Sequence, residues 1–334
     1  MSTKWIEASP KESVTRVARR ALNQRFRAVL DHLPLAAKKP HKDIEHVHQL
    51  RVATRRAVAA LDIFEPALPS KRARRMRKEL RRLRRAVGQA RDLDVLAQRL
   101  ERLLAQGENG AITKVLQRIV KLRKKAQQPA LQAYRRARRR RLDRDMRRLT
   151  KRTRHPVRMP REFGSFARQG LQLDVSEFFR AAAGDLTDIE NLHQMRIAGK
   201  RLRYAMEIYA GAFPEALRDD LYPVFAEVQE KLGDVNDHAT AVRLFDTWRQ
   251  AFSGKTSARR MQQLLEDENQ RLDDSCTAFR QWWTPPRATA LKNRFDQLLA
   301  AEGQLDKTEN NAAEMNIPLT AASIRPALPS SVST

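Results

Sequence analysis

The segment DIEHVHQLRVATRR at residues 43–56 nearly recurs as DIENLHQMRIAGKR at residues 188–201, displaced by 145 positions. Between 43–64 and 188–209, ten of 22 positions are identical and seven more are close exchanges, such as Arg55 for Lys200. The same displacement pairs Pro69 with Pro214, Gly88 with Gly233 and Asp92 with Asp237, without a gap. An ungapped match over about 50 residues implies two copies of one folding unit, each a bundle if the unit is helical.

The unit reads as helical. Glycine is scarce, and Ala, Leu, Arg, Gln and Glu enter helices at little cost. Helices are predicted over about 12–33, stopped by Pro34, and over 43–65, stopped by Pro66. A basic helix opening at Pro69 and Ser70 is interrupted near Gly88, one carrying Leu93–Leu104 ends at the GENG turn, and one long helix covers about 111–150. The two prolines and the glycine of HPVRMPREFG, 155–164, mark the internal boundary. Beyond it, helices are predicted over 163–183 and 188–211, from Pro214 to Gly233, from Asp237 to about Phe252, with two or more over 255–303. The expected organisation is an N-terminal extension (1–11), repeat one (about 12–154), repeat two (about 161–304) and a disordered tail (305–334). The fold class is all-α.

Charge divides unevenly between the copies. Residues 1–150 hold 41 Lys/Arg and 14 Asp/Glu, whereas residues 151–334 hold 25 of each, so the whole excess of +27 lies in the first half. Such a field attracts polyanions, whether nucleic acid, polyphosphate or an anionic membrane surface. The single cysteine, Cys276, cannot form an internal disulfide, and the polar start MSTKWIEASPKESV lacks a signal-peptide core. No stretch approaches the roughly 20 apolar residues of a spanning helix. A cytoplasmic protein is expected.

On a wheel at about 100° per residue, Leu192, Met195, Ala198, Leu202, Ala205, Met206 and Tyr209 gather on one side, opposite His193, Arg196, Lys200 and Arg203. In the first copy Val47, Leu50, Ala53, Ala57, Leu61 and Phe64 face away from His48, Arg51 and Arg55. The apolar faces suit bundle cores. A cationic strip opposite an apolar face is also what an ordinary solvated helix shows. Here, however, the i, i+4 pairs Arg51–Arg55 and Arg196–Lys200 repel, and no acid interrupts either strip before Asp62 and Glu207. The strip recurs in both copies although their surrounding charge differs, which points to a bound anion. Guanidinium forks and an ammonium suit phosphate oxygens, and a histidine beside a phosphate gains a partner for its charged form.

Other chemistry is missing from the sequence. There is no GxxxxGK[ST] or GxGxxG loop, no CxxC or HExxH, and no ExExK signature. The carboxylates of Asp92 and Asp94 in RDLD diverge on a helix and are read as a helix cap or as partners of Arg91. No nucleophile–base pair or acid–base constellation is present, so no catalytic residue, metal or cofactor is expected.

The unit VHQLRVATRR (47–56) followed by AVGQARDLDV (86–95) resembles the first repeat of the CHAD family, the conserved histidine α-helical domain, and LHQMRIAGKRLRYAME (192–207) resembles its second. The resemblance extends over roughly residues 12–300. It implies two pseudo-symmetric four-helix bundles with a basic cavity or groove between them, and binding of inorganic polyphosphate without catalysis. Carried over by position, the ligands are His48, Arg51, Arg55 and Arg56 with His193, Arg196, Lys200, Arg201 and Arg203, joined by Arg81, Arg84 and Arg85 of the basic third helix. Two departures stand out. The first repeat of the family usually continues Arg-Arg-Leu-Arg, whereas this one reads Arg55-Arg56-Ala57-Val58 and loses the cation matching Arg203; Asn236 stands opposite Arg91.

Three alternatives compete. Non-specific nucleic-acid binding is permitted by RRARRRRLDRDMRRLTKR (135–152), although aromatic residues do not interleave with the basic runs as a stacking platform needs. A structural role on polyphosphate or other storage granules would use the basic half to dock on an anionic surface. A polyphosphatase lacks any residue set in its favour.

Overall fold

A computed structural model of the chain describes residues 4–39, 43–105, 111–155, 159–249 and 255–315. The first half forms helices α1 (Val14–Lys38), α2 (Glu45–Ile63), α3 (Ser70–Ala86), α4 (Gly88–Ala105), α5 (Ala111–Arg139) and α6 (Leu142–Lys151). The second half forms α7 (Phe163–Ala182), α8 (Ile189–Tyr209), α9 (Tyr222–Arg249), α10 (Lys255–Trp282) and α11 (Pro285–Met315). Among the described residues the one β-type pairing is an isolated bridge between Ser13 and Glu162, so the expected all-α class holds. None of these helices is long and apolar enough to cross a membrane.

The apolar faces read from the wheel are the ones buried. In α2, Val47, Leu50, Ala57 and Leu61 are fully enclosed; in α8, Leu192, Met195, Leu202 and Met206 are. Each such leucine or methionine contributes about 1.5–3 kcal/mol on leaving water. Copy one buries its set against α1 and α3, and copy two against α7 and α9. An aromatic cluster adds to the second core: Phe178 of α7 meets Phe225 of α9 at 4.7 Å and Trp283 at 5.9 Å, and Phe225 meets Phe295 of α11 at 5.5 Å.

The repeated helices α2 and α8 also pack directly on each other. Phe64 and Tyr209, which occupy matching positions of the two copies, both lie against Phe166, at 5.6 and 6.2 Å between ring centroids. Beside them Arg56 of α2 donates two hydrogen bonds of 2.6 Å to the buried carboxylate of Glu207 on α8. Glu207 further accepts from the Tyr222 hydroxyl at 2.9 Å and pairs with Arg25 of α1 at 3.4 Å. This network fixes the two histidine-bearing helices at one distance and angle.

Several boundaries differ from the sequence reading. Pro34 does not stop α1: the helix runs on to Lys38 because Leu33, Ala36 and Ala37 are buried. The Gln127 side chain on α5 satisfies the carbonyls of Ala36 and Ala37 at 2.9 and 3.0 Å. The long helix expected over 111–150 breaks at Arg141, which takes a left-handed conformation (φ 52°) and turns α6 so that Leu142, Met146 and Leu149 reach the core. Gly233 does not end a helix; α9 runs through it, covering the span that copy one divides between α3 and α4. A glycine alone terminates nothing unless the chain must turn there.

Two further differences lie at the ends. The N-terminal segment belongs to the core: Ile6 is fully buried, and its N–H donates to the Glu207 carbonyl at 3.0 Å. Gly211 permits this approach, since a Cβ there would lie 2.4 Å from the Ala8 carbonyl oxygen. At the other end α11 continues past Leu305 to Met315, and the rest of the expected tail falls outside the described residues.

Candidate anion-binding site

A cavity of about 600 Å³ opens between α2, α4, α8 and α9. From α2 it receives His48, Arg51 and Arg55, and from α8 Arg196, Lys200 and Arg203, all with Tyr204 on the same wall. From α4 come Arg91, Asp92 and Arg99, and from α9 Gln229, Glu230 and Asp237. The lining therefore holds seven Lys/Arg against three acids, plus one histidine.

The lining follows the internal repeat. Arg51 and Arg196, Arg55 and Lys200, Arg91 and Asn236, and Asp92 and Asp237 are matched pairs at the 145-residue displacement, and both members of each line the cavity. The apolar positions Leu96 and Ala241 do the same. Arg81, Arg84 and Arg85 lie outside the lining, yet their counterparts Ala226, Gln229 and Glu230 are in it. Arg84 is the nearest of the three, partly buried and within electrostatic reach of Arg55 and Tyr204. Arg81 and Arg85 are exposed.

Other expected residues are placed elsewhere. Arg56 is committed to Glu207 beneath the cavity. Arg201 points the opposite way and pairs with Asp174 of α7 at 2.7 Å, and also with Glu177. Consecutive helical residues stand about 100° apart, so Arg56 and Arg201 cannot share the strip of Arg55 and Lys200. His193 lines a smaller cavity of about 100 Å³, with Arg243, that borders the main one at Arg196 and Asn236. Asp92 and Asp94 do not cap a helix, and the Arg91 guanidinium acts on both carboxylates. Both sit inside α4, where Asp92 faces the cavity 3.8 Å from Arg51 and Asp94 turns back to Arg123 of α5 at 2.6 Å.

Arg91 and Arg99 are cavity-lining cations that the wheel of the repeated helix did not show. Arg99 is held from below: Nη1 lies 3.1 Å from the buried carboxylate of Glu268 on α10, which also contacts His238 Nδ1 at 2.9 Å. The available signal was the matched spacing of Asp92 and Asp237, which placed α4 and α9 in corresponding positions.

Crowding leaves the cavity short of negative charge. Burial, then the guanidiniums of Arg196, Arg55 and Arg203, push the Lys200 amine down to about 6. Burial, then Arg91, also lowers the His48 imidazole. Burial raises the Asp92 carboxyl despite Arg51 beside it. Among the described residues the buried Nε groups of Arg196 and Arg203 have no hydrogen-bond acceptor. Donors left so cost about 1–3 kcal/mol each, which an entering anion would offset. The arrangement suits a ligand with several closely spaced negative oxygens and no need of a base.

A family model for the CHAD domain matches residues 20–246, a span that includes both repeated helices. No curated protein matches the chain. The fold is similar to the crystal structure of the CHAD domain from the plant Ricinus communis, at 22% identity and a TM-score of 0.63, with 87% of this chain and 94% of that one covered. It is also similar to PptA from Streptomyces chartreusis, at 18% identity and a TM-score of 0.63, with 81% of this chain and 99% of that one covered. The two histidine motifs, the helical fold that joins them and the match across both together place this chain in the CHAD domain family.

Proposed function

We propose that the cavity binds inorganic polyphosphate and that the protein holds this polymer without transforming it. One observation carries the reading: matched residues of both copies converge on a single cation-rich cavity. Two pseudo-symmetric bundles, related by a pseudo-twofold between α2 and α8, would present one linear ligand with the same cations from either side. A linear polyanion of identical units can be read this way, because its own two directions differ little. A DNA duplex is far too wide for about 600 Å³ and would meet only the outer arginines. The test is a competition in which long-chain polyphosphate is offered with an excess of duplex DNA, followed by sizing of the polymer. Retention of polyphosphate at unchanged chain length is expected. Displacement by DNA would refute the binding reading, and shortening of the chain would refute the non-catalytic one.

Lys200 makes binding pH-dependent. In the free protein it is largely neutral above about pH 6, with Arg55, Arg196 and Arg203 repelling its charge and Asp237 favouring it. Bound phosphates favour the ammonium and raise its pKa, so binding above pH 6 takes up a proton. Affinity is therefore highest below about pH 6, where Lys200 is already charged, and falls as pH rises toward 8. His48, also lowered, adds in the same direction. Calorimetry at pH 7.5 in buffers of different ionisation heat should register this uptake, and Lys200→Arg should reduce it. Equal apparent heats in all buffers would count against a ligand seated at Lys200.

A further inference from the structure

A second groove, of about 360 Å³, lies between α3, α5 and α6 and shares no lining residue with the cavity. Its floor is aliphatic: the partly exposed Ala133 and Ala137 of α5 lie over the buried Met76 and Leu83 of α3 and Leu142 and Leu149 of α6. Seven Lys/Arg side chains from the three helices rim it, against the two acids Glu79 and Asp145. The break at Arg141 creates this shape, because it folds α6 back beside the end of α5. The arginine-rich segment that the cavity leaves unused thus supplies Arg136, Arg140 and Arg148 to one wall.

The groove already holds one carboxylate in the manner of a ligand. Glu79 lies 2.7 Å from Arg82, 3.6 Å from Arg136 and 3.6 Å from Arg140, so three guanidiniums share it. Asp145 pairs with Arg75 at 3.7 Å. With both acids counted, five positive charges remain unmatched around an apolar floor. We propose that this groove docks an acidic amphipathic helix of a partner protein, with its carboxylates on the arginine rim and its apolar side chains on the floor.

The floor is what selects this occupant. A phosphate chain has no apolar surface to lay on Ala133 and Ala137, the partly exposed part of the floor. Single-stranded nucleic acid stacks on aromatic rings, and the lining has none. An amphipathic helix satisfies rim and floor together, with apolar anchors at helical spacing set into a groove between helices. α3 presents Arg84 toward Arg55 of the cavity and Arg72 and Arg75 to the groove. A partner docked there leaves the cavity open, so partner and polyanion bind together.

The experiment uses the full chain and a synthetic, fluorescently labelled peptide of about five helical turns, with leucine along one face and glutamate along the other. A scrambled peptide of the same composition keeps the charge and loses the faces. The amphipathic peptide is expected to bind at least about tenfold more tightly than the scrambled one. Arg72→Glu/Arg148→Glu, two exposed positions, should weaken it by a similar factor, whereas Arg51→Ala/Arg196→Ala and saturation with polyphosphate should leave it unchanged. Melting curves of both variants establish that they are folded. Equal binding of the scrambled peptide overturns the proposal, since only net charge would then be read. Loss of RNA or polyphosphate binding in Arg72→Glu/Arg148→Glu, without loss of the peptide, overturns it in favour of a phosphate track.

Discussion

Glu207→Ala is expected to destabilise the protein by about 3–5 kcal/mol, the usual loss when one partner of a buried ion pair is removed. Glu207 is completely buried and accepts from Arg56, Arg25 and Tyr222 at once. Arg25 is itself only 3% exposed, and burial already draws its guanidinium down to about 10 despite the carboxylate beside it. Without Glu207, the enclosed guanidinium of Arg25 and the partly buried one of Arg56 would lose their carboxylate, and the hydroxyl of Tyr222 would lose its acceptor. The damage would spread to the junction of α2 and α8, since this network ties them together. Urea unfolding at neutral pH measures the effect directly. A change below about 1 kcal/mol, the scale of an exposed ion pair, would show that water or another acceptor compensates. Arg56→Ala should behave in the same way, lowering stability with little change in ligand affinity, because Arg56 is spent on Glu207 rather than on the cavity.

That contrast between Arg55 and Arg56 shows what the sequence reveals and what it hides. The 100° step of a helix separates the strip of His48, Arg51 and Arg55 from its neighbours, and the cavity receives those three residues. Arg56 and Arg201 came from a motif carried over whole, and a motif does not say which way its second arginine turns. The apolar faces of α2 and α8 were legible because burial imposes their period. Gly88 and Gly233 were not distinguishable, being the same residue at matched positions. The first marks the start of α4 beyond a non-helical Val87, while the second sits inside α9 with nothing within 4 Å of where a Cβ would stand. Arg91 and Arg99 were hidden because their role depends on how α4 lies against α2, a tertiary fact. They also change the meaning of the missing cation at Val58. Copy one supplies Arg91 and Arg99 where copy two has Asn236 and Leu244, so the cavity regains from α4 what α2 lacks.

Arg51→Ala/Arg196→Ala is expected to weaken polyphosphate binding by about 10²–10⁴-fold, from roughly 1.5–3 kcal/mol for each charge-assisted hydrogen bond removed. These two arginines are matched residues of the two repeated helices, both lining the cavity; Asp92 lies 3.8 Å from Arg51, and Asp237 favours the charged form of Arg196. The slope of affinity against salt should fall by roughly 1–2, because about that many counterions are no longer released. Duplex DNA, confined to the outer arginines, should lose almost nothing. The deciding measurement is therefore a salt-series titration of long-chain polyphosphate and duplex DNA, with the wild type beside Arg51→Ala/Arg196→Ala. A dedicated cavity requires that polyphosphate binding collapse while DNA binding holds. Slight and equal weakening of both ligands would contradict it, leaving the repeated histidine helices with no role beyond their net charge.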